Sequence, residues 1–445
     1  MKGYWPDTER RRQIWALALP IMAGMTSQSI LNIVDTWMVS HLGSNALAAV
    51  GMASNTNYLA SAAVIGLGAG VQAMVARRRG ENSVSELALP LNTGLLVALL
   101  MSLPLFLVFF FGADTIMLFL IDDPNVSPMA GDYFSIRIAG LFALGMNFSF
   151  RGYWNGINRS TVYMRTLIVM HIANVLLSYG FIFGAFGFPE LGVIGAGLGT
   201  TLALYLASVL YLIQCWMFSR NSGFLRALPN WVQIRETLKL ALPNSIQQVF
   251  FAGGLTMLFW IIAQIGTNEL AVGHVLITII LFLILPAMGM GMAATSLVSQ
   301  ALGRGDSEDA YRWGVNITLL GMLLLWTIAL PLVVMPDWIS GLFFHEQPLL
   351  DLARAPLQIT GLFIGLDACG IIISQALLGA GASKTVMKIS ILLQWGFFIP
   401  AAFLVGPFWG YGLLGIWIFQ LIQRLLQAII MAGEWQRKHW ASIRI

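Results

Sequence analysis

A carboxylate costs about 2.5 to 3.5 kcal/mol to place in hydrocarbon on insertion scales, so an acid inside an apolar helix is a functional-site hypothesis by default. Asp35 is the clearest such acid in this chain. It stands 21 residues after Ile14, at the start of a long apolar run. That is about 30 Å along a helix, which puts it in the outer part of a first membrane span. Gln28, Asn32 and Asp35 fall at i, i+4 and i+7 and make one polar stripe on an otherwise apolar helix. A stripe of this kind faces protein or water, where its carboxylate can hold a proton or attract a cation.

Asp367, some 13 residues into a later span, is the other deep acid, either a substrate contact or a packing partner. His171, Asn174 and Ser178 line one face at i, i+3 and i+7. Asn174 is either an interhelical hydrogen-bonding residue or the partner of Asp35. On the last span Gln420, Gln423, Arg424 and Gln427 form a stripe, with Arg424 expected to snorkel towards the headgroups. Pro20 lies inside the first span and removes one helical hydrogen bond, so the helix can bend there. Gly66, Gly68, Gly70, Gly289 and Gly291 lie in helical stretches, where close helix packing is expected and phosphate binding is not.

These residues need elements to position them, and composition says of what kind. Of 445 residues 58% are hydrophobic and only 10% charged, too few charges to cover a soluble globule. The two cysteines, Cys215 and Cys369, lie in apolar runs, and the five histidines have no ligand spacing, so neither a disulfide framework, a metal centre nor a cofactor is expected. A net charge of +4 reads as basic membrane-flanking loops and not as a nucleic-acid surface. The apolar stretch after Arg10, Arg11 and Arg12 is too long for a signal peptide and reads as a retained first span.

Counting apolar stretches of about 20 residues gives twelve spans, near 14–39, 49–76, 88–112, 130–153, 163–184, 191–218, 238–264, 271–300, 313–334, 354–379, 386–406 and 411–433. Only helices satisfy every backbone group in lipid at these lengths, so the expected fold is an all-α integral membrane protein of twelve transmembrane helices. The chain also repeats itself. Ile14 to Pro20 returns as Thr237 to Pro243, Gly66 and Gly68 return as Gly289 and Gly291, and Met164-Arg165 returns as Met387-Lys388, each 223 positions on. Six spans per repeat bring the chain back to its starting side, so the two six-helix lobes are parallel. The expected division is an N-lobe over 1–219, a linker over 220–236 and a C-lobe over 237–445. Leu258 stands at the counterpart of Asp35, so the lobes share a frame and divide the chemistry. Of the 24 Lys and Arg, all but Arg137 and Arg354 collect on one side of these spans, from Lys2 to Arg444. That side is expected to be cytoplasmic and to hold both termini.

With Pro20, Asp35 and the run from Val34 through Gly43 to Gly51 in view, the chain resembles the multidrug and toxic compound extrusion (MATE) family, and within it the DinF-like branch. The resemblance covers all twelve spans. It implies an antiporter that expels cationic or amphipathic compounds in exchange for protons or sodium ions, from a cavity that opens alternately to either side. It implies that Asp35 carries the coupling ion, that Asn174 matches an asparagine of the N-lobe cation site, and that Pro20 matches the proline at which the first helix can bend; Asn32, on the same stripe as Asp35, is a further coupling candidate from the spacing. Gln28, Ser178 and Asp367 are the further candidates for substrate contact. Many sodium-binding relatives have an acid one turn after the asparagine where this chain has Ser178, which removes a negative ligand from a hard-cation site and favours protons.

The expected function is therefore proton-coupled multidrug efflux by a monomer in the inner (plasma) membrane, with small molecules, protons and lipids as partners. Sodium coupling, a lipid-linked precursor flippase and a passive channel are the alternatives. An enzyme is not expected, since no nucleophile and base pair or metal constellation stands within the spans. A flippase needs basic side chains deep in its cavity, and none is expected there.

Overall fold

The computed structural model describes residues 5–443, so the expected basic-side residues Lys2 and Arg444 lie outside the described residues. Every element among the described residues is helical. The spans are α1 (Thr8–Ser40), α2 (Ser44–Gly80), α3 (Val84–Phe111), α4 (Ser127–Ala139 with Leu141–Gly156), α5 (Ser160–Phe183), α6 (Gly192–Phe218), α7 (Trp231–Ala263), α8 (Thr267–Gly303), α9 (Ser307–Val334), α10 (Gln347–Gly379), α11 (Ser383–Phe408) and α12 (Gly412–Gln436). Eleven of these are single helices long and apolar enough to cross a membrane, and α4, bent by 43° between its two parts, makes twelve. The chain is a multi-pass membrane protein of two six-helix repeats. α4 breaks where Gly140 interrupts it, a feature the hydropathy pattern did not carry.

Lipid tails are as apolar as leucine, so helices in a bilayer associate through close packing and not through hydrophobic burial. Small residues at the crossings show this. A Cβ on Gly199 of α6 would lie 2.6 Å from both the Cα and the backbone nitrogen of Ser178 on α5. A Cβ on Gly379 of α10 would lie 2.8 Å from the Cα of Thr295 on α8.

The glycines that repeat at 223 positions have a shared use. A Cβ on Gly66 of α2 would lie 2.8 Å from the Ala241 carbonyl and would also strike Ser245, both on α7. A Cβ on Gly289 of α8 would strike Met22 on α1 and come within 3.3 Å of its backbone nitrogen. Met22 and Ser245 are themselves 223 apart (245 − 22), so each repeat lends the start of its first helix to a glycine of the other repeat. Compactness follows this exchange: one unit is Met1–Met22 with Phe250–Ile445, and the other is Ala23–Val249. The division falls inside α1 and α7, shortly after Pro20 and Pro243, and not in the 220–236 connection.

That connection is tied down. Asn92 Nδ2 at the start of α3 donates to the Gly223 carbonyl at 2.9 Å, and the Leu225 amide donates to Asn92 Oδ1 at 3.1 Å. From Trp231 onward it is already α7. Both α1 and α7 run as continuous helices through their prolines. Within the second unit, Met38, Ala49, Phe134, Ile138 and Ile182 centre one apolar cluster, and Val71, Leu91, Phe150, Trp154 and Tyr211 centre another.

Candidate functional site

The stripe on α1 and the stripe on α5 meet. Gln28 Nε2 donates to Asn32 Oδ1 at 3.1 Å, the i, i+4 bond that their spacing permits. Gln28 Oε1 lies 3.1 Å from His171 Nε2 on α5, so one amide bridges the two helices. Further along α5, Ser178 Oγ donates to Asn174 Oδ1 at 3.2 Å, and both residues are 1% exposed. Asp35, on α1 one turn beyond Asn32, has its Oδ1 buried without a hydrogen-bond partner.

Two expectations are corrected here. Asn174 does not partner Asp35: its amide oxygen accepts from Ser178, because a hydroxyl one turn away on the same face needs no helix to move. Arg137, expected only to mark the side opposite the other basic residues, lies on the first part of α4, and its field reaches the Asp35 carboxylate. Its Nε and Nη1 are buried and unpartnered, so the two opposite charges feel each other without closing on a shared hydrogen bond. Arg137 is a site residue that sequence reasoning missed. The signal available was its position only three residues before the Gly140 break, inside the apolar stretch and not beyond it.

In the other unit, Asp367 on α10 faces Arg424 on α12 with 3.9 Å between Oδ1 and Nε. Arg424 lies 12 residues before Gln436, about 18 Å along the helix from its end. It therefore turns inward to an acid, and the expected snorkelling is corrected: an opposite charge at the same depth outcompetes the headgroup region. The expectation that no basic side chain lies deep in the spans fails with it. Gln423 Nε2 donates to Gln427 Oε1 at 3.2 Å along the same stripe.

The start of α1 is anchored to α9. Arg10 makes an ion pair with Asp309, donates to Asn316 Oδ1 at 3.1 Å and lies over the Trp313 ring, 4.5 Å from its centroid. Asp309 Oδ2 also accepts from Arg304 at 2.8 Å and from Trp313 Nε1 at 3.0 Å. α1 is thus held at its base by one unit and carries Asp35 in the other. Among the described residues no three His, Cys, Asp or Glu side chains gather as a metal ion would require.

The fold and these polar clusters define a two-repeat helical membrane protein with one deep acid in each repeat. A family model, MatE, matches residues 20–180 and again 243–404, two copies whose starts differ by the repeat offset (243 − 20 = 223). The chain belongs to the MatE family. It is similar over nearly its whole length to curated relatives. A protein named "Probable multidrug resistance protein NorM" from Thermotoga maritima is 25% identical, over 98% of this chain and 96% of its own. One of the same name from Bradyrhizobium diazoefficiens is 27% identical over 90% of this chain and 88% of its own. The fold matches that of an outward-facing multidrug resistance MATE family transporter of the MOP superfamily, with a TM-score of 0.87, 22% identity, and 98% and 97% of the two chains covered. It also matches a MOP superfamily transporter from Pyrococcus furiosus, with a TM-score of 0.86 at 22% identity over 98% and 97% of the chains.

Proposed function

We propose that this protein is a proton-coupled multidrug efflux antiporter of the inner membrane, with both termini cytoplasmic, that expels cationic or amphipathic compounds. The observation that carries the reading is the Asp35 carboxylate oxygen, buried and unbonded on a helix that passes from one compact unit to the other. An acid without a fixed partner is free to exchange a proton for a cation. The names of the curated relatives support multidrug efflux. Placement on the DinF-like branch rests on Pro20, Asp35 and the run from Val34 to Gly51.

Protons are favoured over sodium by the surroundings of Asp35. Ser178, not an acid, stands one turn after Asn174, and the nearby Arg137 is a positive charge that a bound sodium ion would have to oppose. Each proton entering down 100 mV supplies about 2.3 kcal/mol, enough to drive a monovalent amphiphile outward. Neutralising Asp35 removes its hold on a bound cation, so proton and substrate compete. Pro20, two residues before α1 changes unit, is the proposed hinge, since the missing amide leaves the Ala16 carbonyl free and the helix weaker there. Asn32, Gln28 and Ser178 are proposed to shape the pocket around Asp35. A pyrophosphate flippase gains little from Arg424, which faces an acid, or from Arg137, whose field is already felt by one.

The test is dye efflux from proteoliposomes with a pH gradient or a sodium gradient imposed alone. Efflux with the pH gradient only supports the reading. Efflux with sodium only, or downhill flux that ignores both, overturns it.

A further inference from the structure

The cleft between α10 and α12 holds an ion pair that has not closed. Some exposed pairs in this protein close fully, as when Arg304 reaches Asp309 at 2.8 Å and Arg354 Nε reaches Asp337 at 2.7 Å, and the exposed Arg312–Glu308 pair stays open at 4.0 Å. Asp367 and Arg424 stay 3.9 Å apart, beyond hydrogen-bonding distance, although both side chains are mostly buried. They line a narrow, partly open cleft together with Thr360, Phe363, Trp417 and Gln420. Trp417 is 2% exposed, and its indole N–H has no partner. A buried donor left unmade is costly, and so is a pair of buried charges that forgo their bonds.

We propose that this cleft is a binding subsite for the head of a zwitterionic amphiphile, whose ammonium meets Asp367 and whose carboxylate meets Arg424. The proposal deepens the efflux reading and rests on it for the fate of the bound molecule, though not for binding itself. Charge decides between ligand classes. A simple cation would have to take Asp367 from Arg424 and leave a buried guanidinium unpaired, and a simple anion would strand Asp367. A zwitterion inserted between them satisfies both, and its carboxylate is a ready acceptor for the Trp417 N–H. Phe363 and the neighbouring aliphatic side chains receive the apolar part.

The experiment uses the full chain in nanodiscs and two probes with one fluorophore and one tether. Nε-dansyl-lysine carries the ammonium and carboxylate, and dansylcadaverine is the same molecule without the carboxylate. Equilibrium fluorescence titration of the wild-type protein is expected to show the lysine derivative binding at least tenfold more tightly. Arg424→Gln is expected to bring the ratio near one. Because that variant strands Asp367 and can misfold, the double variant Asp367→Asn/Arg424→Gln, which leaves neither charge, is measured beside it and is expected to show the same loss. A wild-type ratio near one, or a ratio that survives in the double variant, overturns the subsite. Proton-driven efflux of dansylcadaverine is followed separately. Its failure with the binding ratio intact sinks the efflux reading and upholds the subsite, and intact efflux with no ratio does the reverse.

Discussion

Ser178 donates to the Asn174 amide oxygen at 3.2 Å within α5, whereas Asp35 Oδ1 on α1 is buried without a hydrogen-bond partner. The arrangement separates a structural pair from a working acid. Ser178→Ala removes one donor from a buried amide and is expected to cost about 0.5 to 1.5 kcal/mol of stability. Proton-dependent efflux should persist in that variant. Thermal unfolding and efflux measured on the same preparation check both, and a lost proton dependence would show that Ser178 belongs to the coupling site.

Arg137 supplies a positive charge whose field reaches Asp35. Removing it in Arg137→Gln leaves the carboxylate free to hold a cationic substrate, so dansylcadaverine binding is expected to tighten on the order of tenfold, about 1.4 kcal/mol. Arg137→Lys keeps the charge and should bind as the wild type does. Equal affinities in all three proteins would show that Arg137 does not act on the site.

Gly199 tests the packing of α5 on α6. Alanine gains up to about 1 kcal/mol of helix propensity, but its Cβ would lie 2.6 Å from the backbone of Ser178, which cannot swing away as a side chain can. The clash should win, with a net loss on the order of 1 to 3 kcal/mol. Gly51 meets nothing within 4 Å, so Gly51→Ala should be neutral or stabilising. Unfolding midpoints of the two variants in detergent give the comparison, and equal shifts would contradict it.

How far the sequence carried these results depends on range. The twelve spans and the 223-residue offset were legible because hydropathy and duplication are properties of the linear chain. The repeat even named the glycines at the crossings, Gly66 and Gly289. The exchange of the first segments of α1 and α7 was not legible, since nothing in Met22 or Ser245 says which glycine it will meet. The roles of Arg424 and Arg137 were missed for a related reason. Depth along a helix favours snorkelling for a lone arginine, and only the fold shows that an acid waits at the same level. The Asn174–Ser178 bond, by contrast, was open to sequence reasoning: two polar residues at i, i+4 pair locally before they pair across helices.

Outside the spans, Asp337 on the short helix Pro336–Gly341 accepts from Arg354 Nε at 2.7 Å, and a second Arg354 N–H reaches its other oxygen. This bonding holds the Asp337 carboxyl below its ordinary value of 3.8. A depressed acid stabilises the fold above its unfolded value, and the contribution is lost as pH falls through the lower folded value. Asp337→Asn should therefore lower the unfolding midpoint slightly at neutral pH, with the gap to wild type closing below about pH 4. A gap that is constant across that range would show that the pair's charge contributes nothing.

The central claim is that Asp35 gives up a proton when a cation binds. Substrate-evoked proton release from the purified protein in weakly buffered solution measures this directly. The account predicts about one proton released per cation bound by the wild type and none by Asp35→Asn. Equal release from both proteins would contradict it.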